Sequence, residues 1–100
     1  ATIYVECKKE FEVQSVYDQF YAKEPFVDIM QANMAPNTKS VRASNFCRIS
    51  FHKEKNSNKL IIFSVIDNLV KGAAGQAIQN MNIMFDFPET AGINFVPLTP

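Results

Sequence analysis

The run at residues 59–66, Lys-Leu-Ile-Ile-Phe-Ser-Val-Ile, restricts what this chain can become more than any other segment. It has the length of a strand and is apolar on both faces, so it reads as a central strand that needs cover on both sides. A sheet carrying further layers is the economical way to supply that cover. Residues 46–53 come just before it and alternate, with Cys47, Ile49 and Phe51 on one side and Arg48, Ser50 and His52 on the other. The polar residues 54–58 between the two runs read as a hairpin connection, which predicts an antiparallel pair.

The remaining elements follow from changes of period. Residues 2–7 are rich in β-branched and aromatic side chains, and Ile3, Val5 and Cys7 are expected to face the core. From about Glu12 to Lys23, Val13, Val16, Tyr17, Phe20 and Tyr21 recur at three and four residues, the spacing of one helix face. Pro25 disfavours helical geometry at Glu24 and ends that helix. Residues 26–30 read as a second strand. Residues 31–45 have no period, and a loop of that length in a small domain is more often functional or partner-bound than idle.

A second helix starts near Val70 to Gly72. Ala74, Ala77, Ile78, Met81, Met84 and Phe85 form its apolar stripe, Gln76, Gln79, Asn80 and Asn82 fall on other faces, and Ile83 does not fit. Residues 86–88 stop it. The tail through Gly92, Pro97 and Pro100 is extended and irregular, with room for an edge strand at 94–96. The order β-α-β-β-β-α gives an α+β class: a mixed β-sheet layered with helices, similar to a ferredoxin-like half, in one domain over 1–100. The first strand-helix-strand crossover predicts parallel strands if both lie in one sheet.

Charge and composition exclude several classes. Ten Lys and Arg against ten Asp and Glu leave a formal net charge of zero. No basic field exists to hold nucleic acid or an acidic membrane. Lys8, Lys9, Lys53, Lys55 and Lys59 are interleaved with Glu6, Glu10 and Glu54 and read as a solvated rim. No apolar run is long enough to cross a bilayer, and no leader pattern is visible. Ala1 leads straight into strand residues, which reads as a cut from something longer. Cys7 and Cys47 fit a reduced cytosolic protein as well as they fit a disulfide.

Few residues offer chemistry. His52 is the sole histidine, sits on the polar side of its strand, and has no sequence neighbour that would make a metal site. Cys7 and Cys47 fall on apolar faces and read as packing. No serine stands in a nucleophile elbow, and no two carboxylates share a face. The corner Gly72-Ala73-Ala74-Gly75 differs. Each interior helix glycine costs roughly 1 kcal/mol against alanine, so something must require it. One reading is tight packing of helix on sheet. The other is a ligand approaching free N–H groups at the helix start, with Asn68 offering a carbonyl and an amide to a carboxamide.

The wider string, Ile66-Asp67-Asn68-Leu69-Val70-Lys71-Gly72-Ala73-Ala74-Gly75-Gln76-Ala77-Ile78-Gln79-Asn80-Met81-Asn82 and then Pro88-Glu89-Thr90-Ala91-Gly92, resembles the C-terminal end of the N-acetyl-gamma-glutamyl-phosphate reductases. Weaker similarity runs back to Thr2, with Asn45-Phe46-Cys47 and Leu60-Ile61-Ile62 in the expected places. The likeness covers the whole chain but only the last third or so of a typical member. It implies a glyceraldehyde-3-phosphate-dehydrogenase-like C-terminal domain, which serves dimerisation and substrate binding, without its N-terminal Rossmann domain. It also implies NADP as cofactor, a cytoplasmic homo-oligomer, and a place in arginine biosynthesis. In that family a cysteine thiolate forms an acyl-enzyme thioester, a histidine handles protons, and hydride comes from the nicotinamide.

Carried over residue by residue, the resemblance gives no catalytic residue and no metal ligand. Neither Cys7 nor Cys47 lies in the family's Pro-Gly-Cys-Tyr-Pro-like motif, His52 lies outside its His-Arg-His-like motif, and the dinucleotide fingerprint is missing. Asn68, Gly72, Ala73 and Gly75 are implied as cofactor-binding, beside the nicotinamide. The chain alone is expected to be inactive. Part of the second helix's stripe, or the outer sheet face, is expected to meet the absent domain or a sister subunit. Asp86 stands where relatives place glycine, which argues against a simple left-handed cap. A stand-alone ferredoxin-like small-molecule-binding or oligomerisation module explains the element order but not the string. An RNA-binding sheet wants exposed aromatics amid basic residues, whereas Phe46, Phe51 and Phe63 read as core.

Overall fold

Each period in the sequence becomes an element of the expected type. The order is β1 (Thr2–Glu6), α1 (Val13–Phe20), β2 (Val27–Ile29), β3 (Cys47–Lys53), β4 (Lys59–Ile66) and α2 (Gly75–Met84). The computed structural model describes residues 1–98; Pro100, placed above in the irregular tail, lies outside them with Thr99. The class is α+β, with one four-stranded sheet in the order β1-β4-β3-β2. β1 pairs antiparallel with β4, Thr2 opposite Phe63 and Glu6 opposite Lys59. Just past the end of β2, the bonds Met30 N–H to Ile49 O and Asn33 N–H to Phe51 O advance in the same direction as β3, so the sheet is mixed. β1 and β2 share the sheet, as the crossover rule allowed, but at opposite edges.

The chain divides into two compact units. The first comprises residues 1–36 and 48–65. Its core is Val13, Phe51 and Leu60, with Cys7, Phe11, Tyr17, Ile29 and Ile62 packed against them. Each fully buried member contributes roughly 1.5–3 kcal/mol. The Tyr17 and Phe51 rings meet at 5.3 Å between centroids. Gln14 on α1 fixes the strand exit, accepting the Ala32 N–H at 3.0 Å.

Several burial expectations fail in this unit for a common reason: two helical turns cannot cover a four-stranded sheet. All of β1 is exposed, so Ile3 and Val5 do not face the core, although Cys7 does pack there. Val16 and Phe20, read as part of the inner face of α1, are exposed. β4 is interior in the sheet, yet Leu60 is its one buried residue and most of the strand is half-covered. Ser50, placed on the polar side of β3, is fully buried.

The second unit comprises residues 37–47 and 66–100. The aperiodic stretch is ordered here: Thr38–Val41 forms a 3-10 turn, and Asn37 Oδ1 accepts the Ser40 N–H at 3.0 Å as its cap. Val41, Ser44 and Asn45 are fully buried. The segment at 94–96 is not a strand.

α2 is packed opposite to the expected sense. Its buried residues are Gly75, Gln79 and Asn82, while Ala74, Ala77, Ile78, Met81, Met84 and Phe85 of the expected stripe are exposed, as is Ile83 outside it. Hydrogen bonding supplies what apolar contact would otherwise give. Gln79 Oε1 accepts from Asn45 Nδ2 at 3.0 Å and from Lys71 Nζ at 2.7 Å, and Gln79 Nε2 donates to Glu89 Oε1 at 3.0 Å. Asn82 Nδ2 donates to the carbonyls of Glu89 and Ala91, both at 3.0 Å.

The helix does end in a left-handed cap, contrary to the expectation drawn from Asp86. That residue has φ +56°. Phe87 N–H reaches Asn82 O at 2.8 Å and Asp86 N–H reaches Ile83 O at 3.4 Å, the paired bonds of a Schellman motif. Those bonds outweigh the cost of a left-handed non-glycine residue, which the short Asp side chain keeps low. Asp86→Gly should therefore stabilise the chain by about 0.5–1 kcal/mol, read as a higher denaturation midpoint at an unchanged slope. A lower midpoint would show that the Asp side chain holds the cap in some other way.

Candidate functional site

The corner between β4 and α2 is built around a carboxylate. Asp67 Oδ1 accepts the N–H groups of Leu69 at 2.8 Å and Val70 at 3.2 Å, and Oδ2 accepts the Ala43 N–H at 2.7 Å. The first two bonds close an Asx turn that leads into the helix and occupies the Val70 N–H, so the helix start is not bare. The third ties the corner to residues 37–47, where Ala43 is held at φ +57°. The three donors, Ala43 foremost, hold the Asp67 carboxyl below its ordinary carboxylate pKa, and nearby Arg42 adds to the effect.

After Asp67 the first turn is wider than an α-helix. Val70–Ala74 is π-helical: Gly72 N–H bonds to Asp67 O at 3.0 Å and Ala74 N–H to Leu69 O at 3.4 Å. The two glycines of the corner then have different duties. Gly72 is exposed, and a Cβ there would have its closest approach, 3.4 Å, to Ile66 Cδ1. Gly75 is buried. A Cβ there would overlap Asn45 Oδ1 and stand 2.7 Å from the Val70 carbonyl oxygen. Asn45 Oδ1, buried and without a hydrogen-bond partner, occupies the space a side chain at Gly75 would need. The packing reading thus describes Gly75, though its partner is the loop asparagine.

Asn68, Gly72 and Ala73 are exposed together at this corner. Asn68 borders an open depression of about 290 Å³ that is also lined by Thr38, Lys39, Arg42, Ile66 and Asp67. The Asn68 amide and the side-chain-free Gly72 are both exposed here, and Gly75 is buried. Asp67, Lys39 and Arg42 were not singled out from sequence. An Asp shortly before a helical run is an Asx-turn signal that would have found Asp67. No periodicity marks Lys39 or Arg42.

His52, Cys7 and Cys47 are not among the residues that line the depression at the corner. His52 is exposed on β3, with Nδ1 2.8 Å from Asn33 Oδ1. Cys7 and Cys47 are half-buried and form no disulfide. Among the described residues no three His, Cys, Asp or Glu side chains gather as a metal would require, and no helix is long and apolar enough to cross a membrane.

Because its pKa is lowered on folding, the Asp67 anion contributes stability above the ordinary carboxylate pKa, and that contribution is lost as pH falls through the folded value. The stability gap between the native chain and Asp67→Asn should accordingly be widest near neutral pH and close on acidification. Denaturation series at stepped pH check this. A gap independent of pH would mean that Asp67 acts through shape alone.

Residues 1–68 match the family model described as semialdehyde dehydrogenase, dimerisation domain. Over all 100 residues the chain is 55% identical to the N-acetyl-gamma-glutamyl-phosphate reductase of Nitrosomonas europaea, 53% identical to that of Nitrosomonas eutropha, and 51% identical to that of Laribacter hongkongensis. It spans 29% of the length of each of these relatives. The family-model match stops at Asn68, where β4 gives way to the corner.

Proposed function

We propose, since this chain belongs to the semialdehyde dehydrogenase dimerisation-domain family, that it is the C-terminal part of an N-acetyl-gamma-glutamyl-phosphate reductase. The observation that carries the reading is 55% identity to such a reductase along every residue of the chain. The parent enzyme would reduce N-acetyl-gamma-glutamyl phosphate to the semialdehyde with release of phosphate, a step of arginine biosynthesis in the cytoplasm. NADPH, when bound, supplies the hydride.

The chain's own part is positional. Asn68 would hold the carboxamide of the nicotinamide, and Gly72 and Ala73 would let the ring lie against the backbone. Gly75, locked against Asn45, would keep the turn in shape behind them. No residue here supplies the thiolate that an acyl-enzyme needs, so that group and the dinucleotide fold belong to the remainder of the parent. The exposed apolar residues on β1 and on α2 support two further contacts, with a second copy of the chain and with the missing Rossmann domain.

The expected result is that the purified chain shows no NADPH-dependent reductase turnover, and that co-expression with the remaining segment of a relative restores it. Turnover by the chain alone, or a correctly assembled pair without activity, would overturn the reading.

A further inference from the structure

The depression beside Asn68 is lined by two cations against one carboxylate among the described residues. Lys39 and Arg42 are both exposed and line it together with Thr38. The salt bridge recorded among the described residues, Arg48 with Asp28, lies in the other unit. The one acid on the wall, Asp67, already has both oxygens bonded to three backbone N–H groups. With Asp67 counted as one negative charge against two positive ones, the lining carries a net charge of +1 among the described residues.

A guanidinium, an ammonium, a hydroxyl and an amide around one hollow provide donors for a tetrahedral oxyanion. About 290 Å³ is ample for a phosphate group. The 3-10 turn fixes the spacing: Lys39 lies within it, and Arg42 follows with its N–H bonded to Lys39 O at 3.3 Å. The Asp67–Ala43 bond clamps the residue after Arg42 to the corner that carries Asn68. The cations and the amide are therefore held on one frame.

The geometry points to a phosphate-binding subsite formed by Thr38, Lys39, Arg42 and Asn68, which receives the acyl-phosphate oxyanion of the substrate. The subsite stands on the charges and the cavity; its assignment to substrate rests on the reductase reading. A phosphate bound next to the nicotinamide wall would place the acyl carbon toward the hydride donor and stabilise the phosphate as it leaves.

The test is a ¹⁵N–¹H chemical-shift titration of the whole chain with inorganic phosphate, against chloride at matched ionic strength. A phosphate-dependent rise in thermal midpoint is measured in parallel. Saturable shifts centred on Thr38, Lys39, Arg42 and Asn68 are expected, weakened at least tenfold in the Lys39→Gln/Arg42→Gln double variant, whose spectrum also reports whether it is folded. Shifts that follow ionic strength alone, or that survive in a folded double variant, would overturn the subsite. Acetyl phosphate competing at the same residues supports the substrate assignment. Competition from an adenosine bisphosphate and none from acetyl phosphate would overturn that assignment in favour of the dinucleotide. None of these readouts uses turnover, so failure of the subsite is distinct from failure of the reductase reading.

Discussion

Gly75→Ala is expected to destabilise the chain by about 2 kcal/mol, while Gly72→Ala three residues away stabilises it by about 0.5 kcal/mol. Both changes add one methyl group to a helical turn, and both gain the roughly 1 kcal/mol that alanine has over glycine in a helix interior. They differ in what the methyl meets. At Gly72 the nearest atom is a side-chain terminus 3.4 Å away, which is ordinary contact. At Gly75 it would overlap Asn45 Oδ1, with the Val70 carbonyl oxygen at 2.7 Å and Val70 Cγ1 at 2.8 Å. Backbone cannot yield without opening the π turn, and Asn45 cannot yield without releasing Gln79. Denaturant midpoints of the two variants give the answer directly. Equal effects would mean that the corner is loose and the close packing around Gly75 unimportant.

The second large effect is expected at Gln79. Gln79→Leu keeps the volume and removes three hydrogen bonds, which should cost about 3 kcal/mol. Gln79 is 8% exposed, and its loss strands the Asn45 amide in a site with no water-facing alternative. Lys71 and Glu89 also lose partners, although both are only half-buried and can turn to solvent. The control is Asn80→Ala on the outer face, which breaks a single exposed bond to Gln76 and should stay within about 0.5 kcal/mol. If Gln79→Leu were neutral or stabilising, apolar packing would be able to replace the network.

These two positions also show where reading the sequence stops. Element types and their order follow from apolar periods, because Val13, Phe51 and Leu60 are apolar residues that are in fact buried. The same logic fails on α2, where Gln79 and Asn82 turn inward and Met81, Met84 and Phe85 turn outward. A hydrophobic stripe marks a face that will be covered, without saying whether the cover comes from the same chain. Gly72 and Gly75 look alike in the sequence, and only the position of Asn45, thirty residues earlier, tells them apart. Asp67 was legible in principle, since an Asx-turn carboxylate is a local signal. The pairing of Lys39 and Arg42 with Asn68 was not, because it depends on how an aperiodic stretch folds.

β1 has a consequence of a different kind. It is a sheet edge with no side chain buried, and Ile3, Tyr4 and Val5 all stand in solvent, Tyr4 at 77% exposure. Such an edge is a template for any extended polypeptide. In a cell, a copy with that border uncovered would be a client for chaperones and proteases. Inherited changes along the first five residues would then be felt as altered abundance before they were felt as altered rate. Tyr4→Lys should raise the yield of the isolated chain by placing a charge on that edge.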